Sequence, residues 1–326
     1  MRNFKKCLIT GITGSGGSYL AEFIKKKNSK IKIYGTKRNS YGYSYLLDPQ
    51  TRKNIFKVDL TDFNNTYKLL KKIKPDVIFH FASDANVRKS FDNPYDINKN
   101  NIFLTLNLLE ALRRIKSKAL IIICSTSEVY GQKKLKKKIK EDSNIEPINP
   151  YAASKTYQDL LAQVFRKCYK LNIIISRMFS YTNARRLDLF QASFAHQIIK
   201  IKYKKKKFLD HGNLESLRSF IDIDDAMNAY WSLATKGKVG EIYNISGSSF
   251  ISVGQFLNKL IKLSGVKVKK KLNKKLLRLT DIKFQIPSST KIKKHTGWNS
   301  KINLKHSIAK LLQETEYLYI NDYYKK

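Results

Sequence analysis

Acidic residues are scarce in this chain of 326 residues: 25 Asp and Glu stand against 64 Lys and Arg, a formal charge of +39. Such an excess points first to nucleic acid as a partner. The lysines are dispersed, though, in clusters at 133–138, 204–207 and 269–271, arginine is sparse, and no recognition helix or aromatic-basic strand accompanies them. They read as solvated faces, which would also attract small anions or a membrane surface, and nucleic acid is set aside. Cysteine is nearly as rare. Cys7, Cys124 and Cys168 form no CxxC pair, which excludes a disulfide framework and a zinc site, so no metal is expected. Cys7 and Cys124 lie inside apolar runs and read as small buried hydrophobes. Long apolar runs are missing as well: Ala119 to Cys124 is strand-sized, far short of the roughly 20 residues of a membrane span. The N-terminus, Met1 to Lys6 and then a short apolar stretch ending in glycine, reads as a first strand and not a secretory signal. These absences leave a cytoplasmic globular protein with no integral membrane segment. With 42% hydrophobic and 12% aromatic residues it has material for two lobes around a continuous interior.

Short apolar runs alternate with longer amphipathic ones through the first half. Cys7–Thr10, Ile31–Gly35, Ile55–Asp59, Asp76–Phe81, Ala119–Cys124 and Asn172–Ser176 read as strands. Ser18–Lys27, Phe63–Lys72, 97–115 and Tyr151–Tyr169 read as helices, with Leu104, Leu106, Leu108, Leu109 and Leu112 in an apolar stripe on the long one. This alternation predicts an α/β fold, a Rossmann-type doubly wound parallel sheet. The segment from Lys133 to Glu141 reads as a basic surface loop. After about Phe179 the alternation loosens, and a smaller C-terminal substrate-binding lobe is expected to draw on 188–207 and 256–294. The boundaries are therefore 1–178 for a dinucleotide-binding domain with the catalytic residues and 179–326 mainly for the substrate lobe. Within the latter, about 219–246, including Glu241–Ile245, returns to the main sheet.

Gly11-Ile12-Thr13-Gly14-Ser15-Gly16-Gly17 follows the first strand and opens the first helix. Glycine at such a place lets the backbone turn sharply and come close to a pyrophosphate, whose charge then rests on the helix N-terminus. The strand-turn-helix context makes the GxxGxxG spacing of Gly11, Gly14 and Gly17 a nicotinamide-dinucleotide signal. The end of the second strand offers Thr36-Lys37-Arg38 and no acid, which suits the extra phosphate of NADP better than the free ribose of NAD. Asp59, ending the third strand, either meets the adenine edge or caps the next turn with Thr61.

Tyr151 and Lys155 are four apart on one helix face, so the ammonium can lower the phenol pKa and ready it for proton exchange with a substrate hydroxyl. Thr126 and Glu128 follow the fifth strand at the carboxyl end of the sheet, where open α/β folds bind ligands. Thr126 can polarise the reacting hydroxyl. Glu128 is either a second acid/base, able to eliminate water beside a newly formed ketone, or a carboxylate that holds its loop.

Thr10 to Glu22, Ser125 to Gly131 and Pro150-Tyr151…Lys155 together resemble the extended short-chain dehydrogenase/reductases, and among these the GDP-mannose 4,6-dehydratase family with its relatives acting on GDP-heptose. Asn183-Ala184-Arg185-Arg186 resembles that family's arginine pair, and Gly212 to Arg218 its nucleotide-binding stretch, which would put Arg218 on the diphosphate, where its planar fork suits phosphate oxygens. The resemblance implies a GDP-sugar substrate, NADP held by Gly11, Thr13, Gly14, Gly17, Arg38, Asp59, Leu60, Phe81, Tyr151 and Lys155, and a homodimer or tetramer. It further implies Ser83, Ser180, Arg185, Arg186, Asn213 and Arg218 at the substrate. Ser180 departs from the asparagine common in the dehydratases, and Arg218 to Asp225 with 277–279 and 296–298 looks equally like the GDP-4-keto-6-deoxy-mannose reductases. The implied reaction is a 4,6-dehydration by an internal redox cycle, with a reductase or epimerase as the alternative.

Overall fold

A computed structural model describes residues 1–38, 42–133 and 138–324. The chain runs β1 (Lys6–Thr10), α1 (Ser15–Lys27), β2 (Lys32–Lys37), α2 (Pro49–Lys53), β3 (Ile55–Lys57), α3 (Phe63–Ile73), β4 (Val77–His80), α4 (Val87–Asp92), α5 (Pro94–Arg114), β5 (Leu120–Thr126), α6 (Pro150–Tyr169) and β6 (Asn172–Met178). It continues with α7 (Phe190–Lys202), β7 (Phe208–His211), β8 (Leu217–Phe220), α8 (Ile223–Lys236), β9 (Ile242–Ile245), β10 (Ser249–Ser252), α9 (Val253–Ser264), β11 (Lys269–Leu272), α10 (Thr290–Thr296) and α11 (Leu304–Ile320).

Seven strands form one parallel sheet in the order β3-β2-β1-β4-β5-β6-β9. The strands are continuous apolar runs because both faces are covered by helices. Successive side chains leave on opposite faces. Cys7, Ile9, Val77, Phe79, Ile122 and Cys124 therefore join one core with α1 and α8. Leu8, Ile78, Ile121 and Ile123 join the other with α3, α5 and α6. A third core gathers Phe194, Phe220, Phe256, Leu260, Ile308 and Leu311, beside the pairs β8-β10 and β7-β11. This is the Rossmann-type architecture. No helix among the described residues is long and apolar enough to cross a membrane.

The structure moves several boundaries. The first helix opens at Ser15 and not Ser18, since Gly14 takes the N-cap conformation and the glycines themselves form the first turn. The third strand ends at Lys57, not Asp59, because the Asp59 carboxylate accepts from the backbone and hydroxyl of Thr61 and turns the chain. The fifth strand continues to Thr126, paired with Met178 in β6. Of the basic loop at 133–141, residues 134–137 lie outside the described residues.

Candidate active site

Strand β1 delivers Gly11 at the carboxyl end of the sheet with φ +67, a conformation that favours glycine, and a Cβ there would sit 3.0 Å from the Ala82 Cα. A Cβ on Gly17 would lie 2.5 Å from the Gly11 carbonyl oxygen, so glycine allows helix α1 to pack this close to the turn. Gly14 caps α1 with no side chain on the first-turn amides and no acid among them. That open, electropositive helix end fits a pyrophosphate. Nearby, the Ser83 hydroxyl is buried without a partner, which leaves a polar group ready for a ligand. Phe81 lies against Gly16 and meets the Tyr230 ring at 4.8 Å. Thr13 is buried and its carbonyl accepts from Tyr43. The Leu60 carbonyl accepts from Asn107 and Thr66, and Arg38 donates to Asn100 at 2.6 Å.

Helix α6 is started by Asn149, whose side-chain oxygen accepts from the Ala152 amide at 2.8 Å. The helix buries Tyr151 and Lys155 against the end of β5. Thr126 acts on the Tyr151 phenol in the direction that favours its ionised form. Burial pushes the phenol pKa up to about 12, while the Arg186 guanidinium pulls it down and the Glu128 carboxylate pushes it up. Arg186 is thus a cation that acts on the phenol and that the Tyr151–Lys155 spacing did not suggest. Burial draws the Lys155 ammonium down to about 8, and its Nζ donates to the Cys124 carbonyl at 2.6 Å.

Glu128 stands in a 3-10 turn, Ser127–Tyr130, and its carboxylate accepts from the Asn149 amide at 2.9 Å. The same carboxylate opposes the loss of charge on Arg218, whose pKa burial lowers and Asp281 supports. Glu128 therefore acts electrostatically on both the phenol and Arg218. Arg186 pairs with Asp188 at 2.9 Å and donates to the Ala85 carbonyl. Ser180 accepts from Gln191. Asn213 donates to Ser216 and Asp281, and Arg218 faces Asp281 at 3.4 Å.

The matching family model describes GDP-mannose 4,6 dehydratase and covers residues 8–311. A GDP-mannose 4,6-dehydratase of Yersinia enterocolitica is 30% identical over 81% of this chain and 73% of its own. The UDP-glucuronic acid 4-epimerase of Bacillus cereus, solved with UDP-glucuronic acid and NAD, is 27% identical at TM-score 0.82, covering 97% of this chain and 99% of its own. A Pseudomonas aeruginosa protein named RMD, solved with NADPH, shares the fold at TM-score 0.82 and 22% identity over 96% of this chain and 99% of its own. The chain belongs to the GDP-mannose 4,6-dehydratase family. It is accordingly an enzyme of the extended short-chain dehydrogenase/reductase type, the class of nucleotide-sugar dehydratases and epimerases that work with a nicotinamide dinucleotide.

The structure gives the two adjacent arginines different partners. Arg185 donates to Ser18, Glu22 and Glu314 and lies 3.8 Å over the Tyr19 ring. Three of its five N–H groups thereby tie α11 to α1. Residues that sequence reasoning missed include Asn149, which holds both Glu128 and the helix start, and Asp281, which gathers Asn213, Ser216 and Arg218. The Pro150 that follows Asn149 at the first helical position was the available signal for the cap. Asp281 had none.

Proposed function

We propose that the protein is a nucleotide-sugar 4,6-dehydratase, converting GDP-mannose or a GDP-heptose to the GDP-4-keto-6-deoxy sugar with NADP regenerated in each cycle. The observation that carries this reading is that Asn149, the cap of the helix bearing Tyr151, holds the Glu128 carboxylate at 2.9 Å, which supports a second acid/base near the first. A bound nicotinamide dinucleotide supplies the hydride acceptor and returns the hydride at the end. In this reading Thr126 holds the C4 hydroxyl and Tyr151 takes its proton, with Arg186 and Lys155 stabilising the phenolate. Oxidation at C4 acidifies the C5 proton; Glu128 removes it and protonates the departing C6 hydroxyl, which leaves as water. Arg218 holds the diphosphate by bidentate contact. The absence of an acid after β2, with Lys37 and Arg38 in its place, supports NADP over NAD. Residues 1–178 would carry the dinucleotide and the chemistry and 179–326 mainly the sugar nucleotide, in a cytoplasmic homodimer or tetramer.

Incubation with GDP-mannose or GDP-heptose and no added reductant should yield a product lighter by one water. Glu128→Gln should lose several orders of magnitude in turnover yet accumulate reduced nicotinamide, because the first redox step needs only Tyr151 and its neighbours. Protein that forms no water-loss product but oxidises NADPH with a 4-keto-6-deoxy sugar is a reductase instead.

A further inference from the structure

The turn that carries Glu128 is clasped from outside the main sheet. Gln285 is 3% exposed, and its side-chain amide donates to the Ser127 carbonyl at 2.9 Å and to the Gly131 carbonyl at 3.1 Å. The first carbonyl belongs to the residue that opens the 3-10 turn and the second to the residue that follows it, so one side-chain nitrogen spans the turn. Gly131 completes the turn with φ +60, and a Cβ there would run into the Glu146 carbonyl. The chain around Gln285 is itself stitched to both halves of the site. The Lys283 amide donates to the Gln132 side chain at 2.6 Å, and the Lys283 carbonyl accepts from the Leu217 amide at 2.7 Å, next to Arg218. Ile139 and Ile286 join backbone to backbone at 2.7 Å, and Ser288 donates to Ile139 at 2.9 Å. Four residues before Gln285, Asp281 holds Asn213 and Ser216 and faces Arg218.

We infer that Gln285 is a positioning residue for Glu128: its two hydrogen bonds fix the turn that aims the carboxylate, from a strap that also supports the phosphate-side arginine. The inference rests on the dehydratase reading for its kinetic consequence, though not for its geometry. Buried carbonyls that lose their donor must move to find another. Without the amide, the Ser127–Tyr130 turn relaxes and Glu128 leaves its place beside Asn149 and the sugar. Tyr151 and Lys155 are fixed by α6, and Thr126 is held in β5 while its hydroxyl caps the turn by accepting from the Glu128 amide at 3.3 Å; the Gln285 amide bonds to Ser127 and Gly131 and not to these three.

The test compares Gln285→Leu, which keeps the bulk and removes the donor, with Gln285→Glu, which sets an acceptor against the two carbonyls and serves if the leucine variant folds poorly. Each is assayed beside Glu128→Gln with a GDP-sugar. The expected result is a tenfold or greater fall in overall turnover, with reduced nicotinamide accumulating at a near-normal rate and its level following the Glu128→Gln pattern. A merely structural role would lower both half-reactions together. Equal loss of both, or of neither, in variants that retain cofactor binding overturns the inference. A crystal structure of Gln285→Leu gives a reading independent of the reaction. The Glu128–Asn149 hydrogen bond should be broken and the turn displaced; an unmoved turn refutes the positioning role. Should Glu128→Gln itself accumulate no reduced nicotinamide, the dehydratase reading fails, and the crystallographic result alone decides the role of Gln285.

Discussion

His80 gives the protein a defined acid weakness. It is 2% exposed at the end of β4 beneath the glycine turn, and both ring nitrogens are bonded. The Thr10 hydroxyl accepts from the Ala82 amide and lies 2.9 Å from Nδ1. Thr105 gives its hydroxyl proton to the Asn101 carbonyl, so Nε2 must donate to Thr105 at 3.0 Å. The network therefore holds a neutral imidazole with the proton on Nε2, and a second proton would have to displace the Thr10 bond. Burial, helped by the Lys155 charge, lowers its pKa from 6.5 to about 3. As pH falls, the unfolded chain takes up this proton near 6.5 and the folded one only near 3, so stability is lost across that window. At about 1.36 kcal/mol per pH unit the full loss is about 5 kcal/mol, of which about 2 kcal/mol is gone at pH 5. Gln in place of His80 offers one acceptor and one donor and has no proton to gain. Urea unfolding at pH 7 and pH 5 should show a drop in stability about 2 kcal/mol larger in the wild type than in His80→Gln. Equal drops in the two proteins would show that His80 charges without penalty, and the burial argument would be wrong.

Tyr151→Phe removes the proton-transfer hydroxyl and leaves the cleft intact, so kcat should fall roughly a hundredfold or more with dinucleotide affinity little changed; near-normal turnover would take the phenol out of the chemistry. With Lys37 and Arg38 at the end of β2, NADP should bind at least about tenfold more tightly than NAD, about 1.4 kcal/mol by calorimetry. Equal affinities would rule this out. Lys74 and Lys170 end α3 and α6 in the left-handed conformation, at φ 48 and 59, where Gly265 and Gly297 serve α9 and α10. Lys74→Gly and Lys170→Gly should each stabilise the fold by about 0.5–1 kcal/mol, the relief of Cβ strain outweighing the added freedom of the unfolded chain. No change in denaturation midpoint would mean that the lysine side chains offset the strain.

What the sequence by itself determined were the features governed by neighbours within a turn or two. The spacing of Gly11, Gly14 and Gly17 after an apolar run specifies a strand, a close turn and a bare helix end, since backbone freedom at those positions is a property of the residue type. Tyr151 and Lys155 share a helix face because four residues make about one turn. The apolar alternation from Cys7 to Ser176 implies a parallel sheet for the same local reason, and the boundary errors at Ser15, Lys57 and Thr126 are of two or three residues. The tertiary structure decided everything that depends on groups far apart in the chain. Arg185 and Arg186 are identical neighbours in sequence, yet one is drawn to Glu22 and Glu314 and the other acts on Tyr151. Nothing local distinguishes them, because the acids that claim Arg185 come from α1 and α11. Likewise Glu128 owes its place to Asn149, and its turn to Gln285, whose partners Ser127 and Gly131 lie more than 150 residues away. A glutamine between Phe284 and Ile286 carries no sign of its partner, since an amide donor bonds whatever carbonyl the fold brings to it.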